Sequence, residues 1–178
     1  MKFFLFSMAV IAGIFGMAAF SAGAEEPGND ACAVSFEEFG YPYFVRNTVA
    51  PPEGASSLAL AIDSLDVFNE TFGVGMVMGT EPKILEKEYF KTHEAAVLIL
   101  WGDTPWEFTV RSAVKRDRRL VVKAEKSGIP SKTAFFASPL ILGFEREQIA
   151  GVEQIVFEFA KGDGSDDAGP DETYSTDR

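Results

Sequence analysis

The chain has 178 residues, with 16 Lys and Arg against 27 Asp and Glu, and a net charge of −11. This acidic balance opposes long-range attraction to nucleic acid and to anionic membrane surfaces. There is one histidine, His93, and one cysteine, Cys32, so the chain lacks the residues for an internal disulfide, a zinc site of nitrogen and sulfur ligands, or most nucleophilic triads. We therefore predict no catalytic residue, no metal and no cofactor.

Residues 1–24 have the pattern of a bacterial-type secretory signal peptide. Lys2 precedes an apolar run from Phe3 to Phe20, and the small residues Ala22-Gly23-Ala24 form a cleavage site. We predict cleavage near Ala24, export to the periplasm or the medium, and no transmembrane segment afterwards. The mature chain then carries 15 Lys and Arg against 27 Asp and Glu, a net charge of −12.

An N-terminal segment, residues 25–57, contains five aromatic residues within nine positions, from Phe36 to Phe44. A short strand is predicted at 44–49, because the prolines that follow remove backbone donors. A strand at 58–62 leads into one helix over 64–72, with Asp63 or Ser64 as its N-cap and Gly73 after its end.

After Gly73 the apolar residues alternate with a period of two, which predicts strands. The first is predicted at 74–78. The run 95–101 is apolar throughout, which is typical of a central strand covered on both faces. Further strands are predicted at 133–136, at 140–145 after a break at Pro139, and at 154–159.

Residues 106–124 predict a hairpin. Its apolar positions share one face if the loop has three residues, Arg116-Asp117-Arg118, so that Val114 pairs with Leu120 and Val110 with Ala124. An odd loop, with a possible bulge, is therefore expected.

These elements predict a mainly β fold, an antiparallel β-sandwich or partly open barrel with one short α-helix. The β domain is expected to span residues 58–161. Residues 162–178 are rich in Asp, Gly, Ser and Thr, which predicts an acidic disordered tail.

The hairpin concentrates seven basic residues within 16 positions: Arg111, Lys115, Arg116, Arg118, Arg119, Lys123 and Lys126. Three interpretations are open. The charges can protect a strand edge from pairing, form a docking surface for an acidic partner, or bind the chain's own acidic tail.

Two tryptophans, Trp101 and Trp106, bracket a polar turn between two strands. They either cap the core or form an exposed anchor for a partner. The candidate partner-binding residues are these tryptophans with Arg111, Lys115, Arg116, Arg118, Arg119 and Lys123. His93 lies in a polar turn and Cys32 lies near the N-terminus, and neither has partners for catalysis in the sequence.

The order of elements resembles the PrcB-type protease-complex accessory domain over about residues 58–160. The resemblance rests on the strand 58–62, the helix 64–72, Glu88-Tyr89-Phe90-Lys91 leading into Ala96–Gly102, and the later strands at 108–110, 120–122 and 138–141. Glu88-Tyr89-Phe90 replaces the family's usual Asp-Phe turn. The family's glycine-rich loop is reduced to residues 102–106, and the lipid-attachment signal of its namesake is lacking. The resemblance implies a non-enzymatic exported domain that stabilises or presents a protease.

We therefore expect an exported protein-binding domain, an accessory partner of an exported protease or envelope protein. The alternative is a carrier of a small apolar ligand, with a pocket in the β domain lined by five apolar residues: Phe68, Phe72, Leu98, Leu100 and Phe157.

Overall fold

The computed structural model describes residues 31–40, 42–75, 84–160 and 172–178. In chain order, its elements within these ranges are β1 (Cys32–Ala33), β2 (Glu37–Phe39), β3 (Tyr43–Val45), β4 (Ser57–Ile62), α1 (Leu65–Thr71), β5 (Phe72–Val74), α2 (Tyr89–Thr92), β6 (His93–Gly102), β7 (Glu107–Arg116), β8 (Arg119–Ser127), β9 (Phe136–Glu145), β10 (Gln154–Phe159) and β11 (Thr173–Asp177). The predicted signal peptide lies outside the described residues, as does the end of the strand predicted at 74–78.

Two sheets pack face to face. A five-stranded sheet has the order β1-β7-β8-β10-β11, and a four-stranded sheet has the order β2-β9-β6-β4. The pairing is antiparallel except between β8 and β10, which run parallel. The sheets do not close into a barrel, so the predicted mainly β sandwich is confirmed. Because β1 and β2 belong to these two sheets, the segment 25–57 contributes strands to the sandwich instead of preceding it.

The four-stranded sheet separates two apolar cores. The first core lies between the sheets and includes Leu98 and Phe157. The second core lies on the opposite face of the four-stranded sheet, where α1, α2 and the β3–β5 pair cover it. Strand β6 is buried from Glu94 to Trp101 and lies between β9 and β4, which confirms its predicted central position. Its unbroken apolar run is explained by packing on both faces.

The predicted helix forms as α1, one residue shorter at each end. Ser64 is its N-cap in extended conformation, but the Ser64 side chain makes no cap hydrogen bond. Gly73 lies in β5, where a Cβ atom would come within 2.4 Å of the Phe44 ring. The glycine is therefore explained by close packing and not by a helix cap. The predicted strand at 44–49 is the shorter β3, because its partner β5 has only three residues.

The predicted three-residue hairpin loop is wrong. Arg116 pairs with Arg119, leaving a two-residue turn in which Asp117 has a φ of 54°, a conformation that aspartate tolerates. A bulge at Arg111 interrupts the ladder between Val110 and Ser112. The bulge exchanges the faces of β7, so an even loop still buries the apolar side chains of β8. Val110 pairs with Ala124 as predicted, whereas Leu120 pairs with Lys115.

The strand predicted at 140–145 is part of the longer β9, which begins at Phe136 and runs through Pro139, whereas residues 133–135 of the strand predicted at 133–136 lie in the loop before it. Strand β2 pairs only with residues 141–143, so Pro139 adjoins β6 on one side and no strand of the described chain on the other. A proline is tolerated at such an edge.

The prediction of a disordered tail is wrong for residues 173–177, which form β11 and pair with β10. Tyr174 packs edge-on against Phe159, with ring centroids 6.0 Å apart. The segment is polar, but its threonines and tyrosine have high strand propensity, and its inward-facing side chains cover the end of the first core.

The far end of β11 is fixed by an ion-pair cluster. Glu94 has a nearly buried carboxylate, whose Oε1 accepts a hydrogen bond of 2.8 Å from Nε of Arg178. Arg146 Nη1 lies 3.8 Å from the other oxygen. Arg178 also donates to the carbonyls of Ile149 and Val152, so its side chain joins β11, β6 and the loop after β9.

The two helices of the described residues are too short and too polar to span a bilayer.

Candidate partner-binding face

Four of the seven basic residues of the hairpin are engaged within the chain. Arg111 forms a two-pronged pair with Glu125, at 2.9 Å from Nε to Oε1 and 2.6 Å from Nη2 to Oε2. The hydrogen bond from Arg111 holds the pKa of Glu125 below its usual value. Two others bond to groups beyond the hairpin, Lys115 to the carbonyl of Ala150 and Arg118 to the carboxylate of Glu153.

Lys126 is the fourth, and it anchors the start of β11. Its ammonium lies 4.6 Å from the centre of the Trp106 ring and 5.7 Å from that of Phe159. It pairs with Glu172, which also accepts a hydrogen bond from the Tyr174 hydroxyl. These hydrogen bonds, from Lys126 first and Tyr174 second, lower the pKa of Glu172. Lys126 therefore stabilises the fold.

The remaining three, Arg116, Arg119 and Lys123, are exposed, and their side chains make no ion pair or hydrogen bond within the described residues. We call them the cation group. Arg116 and Arg119 are direct cross-strand partners, an arrangement of like charges that destabilises a strand pair. No carboxylate of the described chain offsets this repulsion by an ion pair. The cation group therefore has charge available for an external partner.

The cation group lies on the outer face of the five-stranded sheet, the face directed away from the first core. Side chains alternate along β8, so Leu120 and Val122 point into the core while Arg119, Val121 and Lys123 point outward. Val114 and Val156 flank Val121 in the neighbouring strands. A row of valines thus crosses the outer face between the charges of the cation group.

Two carboxylates occupy the other half of the outer face. Glu158 lies on β10 beside Lys123, and Asp177 lies on β11 at the level of Arg119. Neither carboxylate is within ion-pair distance of a basic group of the described chain. The outer face is therefore basic on β7 and β8 and acidic on β10 and β11.

The structure places the tryptophans away from this face. Trp101 is 8% exposed and belongs to the second core. Trp106 is half-buried, packs against the first core and lies under Lys126. Their positions favour the interpretation as core caps over that as an exposed anchor.

His93 begins β6 and stacks on Tyr89, with ring centroids 4.3 Å apart and an interplanar angle of 18°. Its Nδ1 is 2.8 Å from the Thr92 hydroxyl. The Tyr89 hydroxyl is buried over Gly143 without a hydrogen-bond partner in the described residues, and its burial, with the nearby Glu37 charge, raises the pKa of Tyr89. His93 and Tyr89 therefore pack ring against ring at the start of β6. Cys32 is exposed on the edge strand β1.

The five residues predicted to line a ligand pocket do not lie around one space. Phe68 and Phe72 belong to the second core, whereas Leu98, Leu100 and Phe157 belong to the first. The four-stranded sheet separates the two groups, and every member is at most 4% exposed. The single pocket proposed from the sequence is therefore wrong.

Sequence reasoning missed the acidic half of the outer face. Glu158 alternates with the core residues Phe157 and Phe159, a pattern that places it on the outward side of a strand. That signal was available in the sequence. What it does not show is the parallel pairing of β10 with β8, which brings Glu158 beside Lys123.

A second missed feature is the loop between β8 and β9. It exposes Ile129 at 84% and Phe135 at 73%. The Ser131 amide donates to the Asp103 carbonyl at 2.7 Å, so the loop is tied to the turn after β6. Exposed apolar side chains on a fixed loop are typical of contact positions in protein complexes.

Comparisons with protein-family models, curated proteins and solved structures found no significant match to this chain.

Proposed function

We propose that this chain is an exported, non-enzymatic protein-binding domain that docks an acidic protein surface on the outer face of its five-stranded sheet. Its role is that of an accessory or stabilising partner of an exported protease or envelope protein. The observation that carries the proposal is the cation group, which makes no ion pair with any described residue of a chain whose net charge is −11.

An acidic chain has many carboxylates with which to neutralise its cations, and the other four basic residues of the hairpin use carboxylates or a carbonyl. Arg116 and Arg119 instead face each other across two strands. A carboxylate from a partner would lie near both guanidinium groups and relieve their repulsion, which favours association over the free state.

The valine row supplies the apolar part of the same surface. Val114 and Val121 are half-buried, so part of each side chain remains accessible to a partner. An apolar centre with charges around it is the usual organisation of a protein interface. The charges then set orientation and association rate, and the apolar contact contributes affinity.

A capture experiment tests this proposal. The full chain, with an affinity tag after Ala24 so that Arg178 stays free, is expressed in an exporting host, and envelope and secreted proteins are captured at low and high salt. We expect R116E/R119E to lose a partner that the parent chain retains at low salt, because two attractive charges become repulsive. An exported protease among the lost proteins would support the accessory role.

The matched control is K87E/K132E, which makes the same change in net charge at two exposed lysines away from the outer face. Loss of the partner in both variants would show an effect of net charge alone, and it would overturn the assignment to the outer face. Retention of every partner by R116E/R119E would overturn it as well.

A further inference from the structure

We infer that the outer face pairs with the outer face of a second copy of this chain, in a symmetric dimer whose two-fold axis runs parallel to the strands between β8 and β10. The inference rests on the proposed function, because it concerns the same face, and it names the acidic partner. The acidic half of one copy supplies carboxylates to two members of the cation group of the other copy, Arg116 and Lys123, while Arg119 faces Gln154.

The strand order makes the face self-complementary. A two-fold rotation about an axis along the strands reverses the strand order but keeps each residue at its level along the axis. Strand β8 then faces β10 of the second copy, and β7 faces its β11. The basic half of each copy therefore lies over the acidic half of the other.

The register of the sheet decides which residues meet. Lys123 and Glu158 share one level, since they are direct neighbours in the β8–β10 ladder. Arg116 and Asp177 share another level, because Arg116 pairs with Arg119, Arg119 with Gln154, and Gln154 with Asp177. In the dimer each Lys123 faces a Glu158, and each Arg116 faces an Asp177. Both kinds of contact join opposite charges, and symmetry makes each kind occur twice.

The level between these charges is apolar. Val121 and Val156 are direct neighbours in the same ladder, so each Val121 faces Val156 of the second copy. Val114 continues the row on β7 and meets the small side chain of Ser175. The charged rows thus lie on both sides of a valine row in which Val156 is already 9% exposed in the single chain, while the half-buried Val114 and Val121 become covered on pairing.

The alternative symmetry places like charges together. A two-fold axis that lies in the interface plane but runs perpendicular to the strands would place each strand over the same strand of the second copy. The cations of β8 would then face the cations of the second copy's β8. The charge pattern therefore selects the axis along the strands.

The size of the face suits a weak, reversible dimer. The four strands that face one another have five to ten residues, and at about 4.8 Å spacing and about 3.3 Å per residue they outline roughly 500 Å² per copy. A pair therefore buries about 1,000 Å², near the lower limit for specific interfaces. Self-association should accordingly depend on protein concentration and weaken with salt.

Charge reversal with complementation tests this dimer by sedimentation equilibrium of the exported chain. K123E places two carboxylates together at each of two symmetric contacts, and E158K places two ammonium groups together. Each variant alone should raise the dimer dissociation constant at least about tenfold at low salt. An equimolar mixture of the two should form a heterodimer. In that heterodimer the carboxylate introduced by K123E meets the ammonium group introduced by E158K, and the other contact keeps Lys123 over Glu158.

The mixture distinguishes the proposed register of charge pairs from an effect of net charge on dimerisation. The two substitutions shift net charge in opposite directions, so the mixture has the mean charge of the parent. Heterodimer formation by the mixture, with both single variants monomeric at the same concentration, would support the paired register. Dimerisation of K123E alone with the affinity of the parent would overturn it.

The two experiments together distinguish failure of the dimer from failure of the proposed function. If the parent chain stays monomeric at all concentrations while R116E/R119E still loses a captured acidic protein, the second copy is excluded and docking of another protein stands. If the parent is monomeric and R116E/R119E retains every partner, both proposals are overturned.

Discussion

The basic hairpin contains two regions that use the same residue types differently. At its open end, Arg111 and Lys126 are paired with Glu125 and Glu172. At its turn end and along its outer face, the cation group makes no such pair within the described residues. The difference lies in which side chains come within ion-pair distance, Glu125 from the hairpin itself and Glu172 from the residue before β11. A cation in such a pair stabilises the fold, whereas a cation outside one is available for binding.

The same contrast extends to Arg178. It lies at the far end of β11, and its side chain reaches Glu94 and two loop carbonyls. Substituting a basic residue that anchors β11 should therefore lower the free energy of unfolding, whereas substituting a member of the cation group should not. Four substitutions or conditions test this contrast.

The largest effect is expected for Arg178→Ala. This substitution leaves the nearly buried Glu94 carboxylate with Arg146 alone, at 3.8 Å. The free energy of unfolding should fall by about 2–4 kcal/mol, because a desolvated charge loses its main partner. Urea denaturation measures it, with Arg116→Ala as the control that removes an exposed arginine with no ion pair to a described residue. Equal midpoints for the two variants would show that the cluster does not stabilise the fold.

A smaller effect is expected for Lys126→Met, which keeps an apolar stem over Trp106 but removes the charge. Loss of the pair with Glu172 and of the contact with the ring should lower the free energy of unfolding by about 1 kcal/mol. Amide hydrogen exchange should quicken in β11 before it does in β6. Uniform acceleration in both strands would contradict a local role for Lys126.

Acidification should weaken the attachment of the start of β11, where Glu172 pairs with Lys126. The pKa of Glu172 is lower in the folded chain than in the unfolded chain, where a glutamate titrates at about 4.3. Its contribution is therefore fully present above about pH 5 and is lost as pH falls through the folded pKa. Exchange rates of the β11 amides between pH 6 and pH 3, corrected for intrinsic exchange, measure this loss. In Glu172→Gln the same amides should show a smaller pH dependence.

The smallest effects are opposite in sign. Arg119→Gln removes one of two facing arginines, so it should raise the free energy of unfolding of the dilute chain by a few tenths of a kcal/mol at low salt. Arg111→Gln removes the same charge but breaks the pair with Glu125, and should lower it. Both differences should shrink as salt is added. If both substitutions raised the free energy of unfolding, the change would be determined by net charge and not by local pairing.

The hairpin shows how far sequence reasoning reached. The alternation of apolar residues predicted its two strands and the pairing of Val110 with Ala124. It allowed for a bulge but did not place one at Arg111, because a bulge changes the register at one position and leaves the apolar composition unchanged. The predicted loop was therefore one residue too long.

The candidate site shows the same division. The basic cluster and its place on a hairpin follow from the sequence. The separation of Arg116, Arg119 and Lys123 from the engaged basic residues does not, because Arg118 and Lys126 pair with Glu153 and Glu172. These carboxylates directly precede β10 and β11, which local patterns do not place beside the hairpin.

The sequence by itself determined the mainly β class, the central strand β6 and the apolar faces, because alternation and continuous apolar runs are local properties of the chain. Tertiary structure alone decided the parallel β8–β10 pair, the order of strands and which cations of the hairpin form ion pairs with described residues. Lys126 and Glu172 are 46 residues apart, and Arg178 and Glu94 are 84 residues apart. Such contacts form only when the sheets assemble, since the energy that selects them belongs to the packed structure and not to any segment.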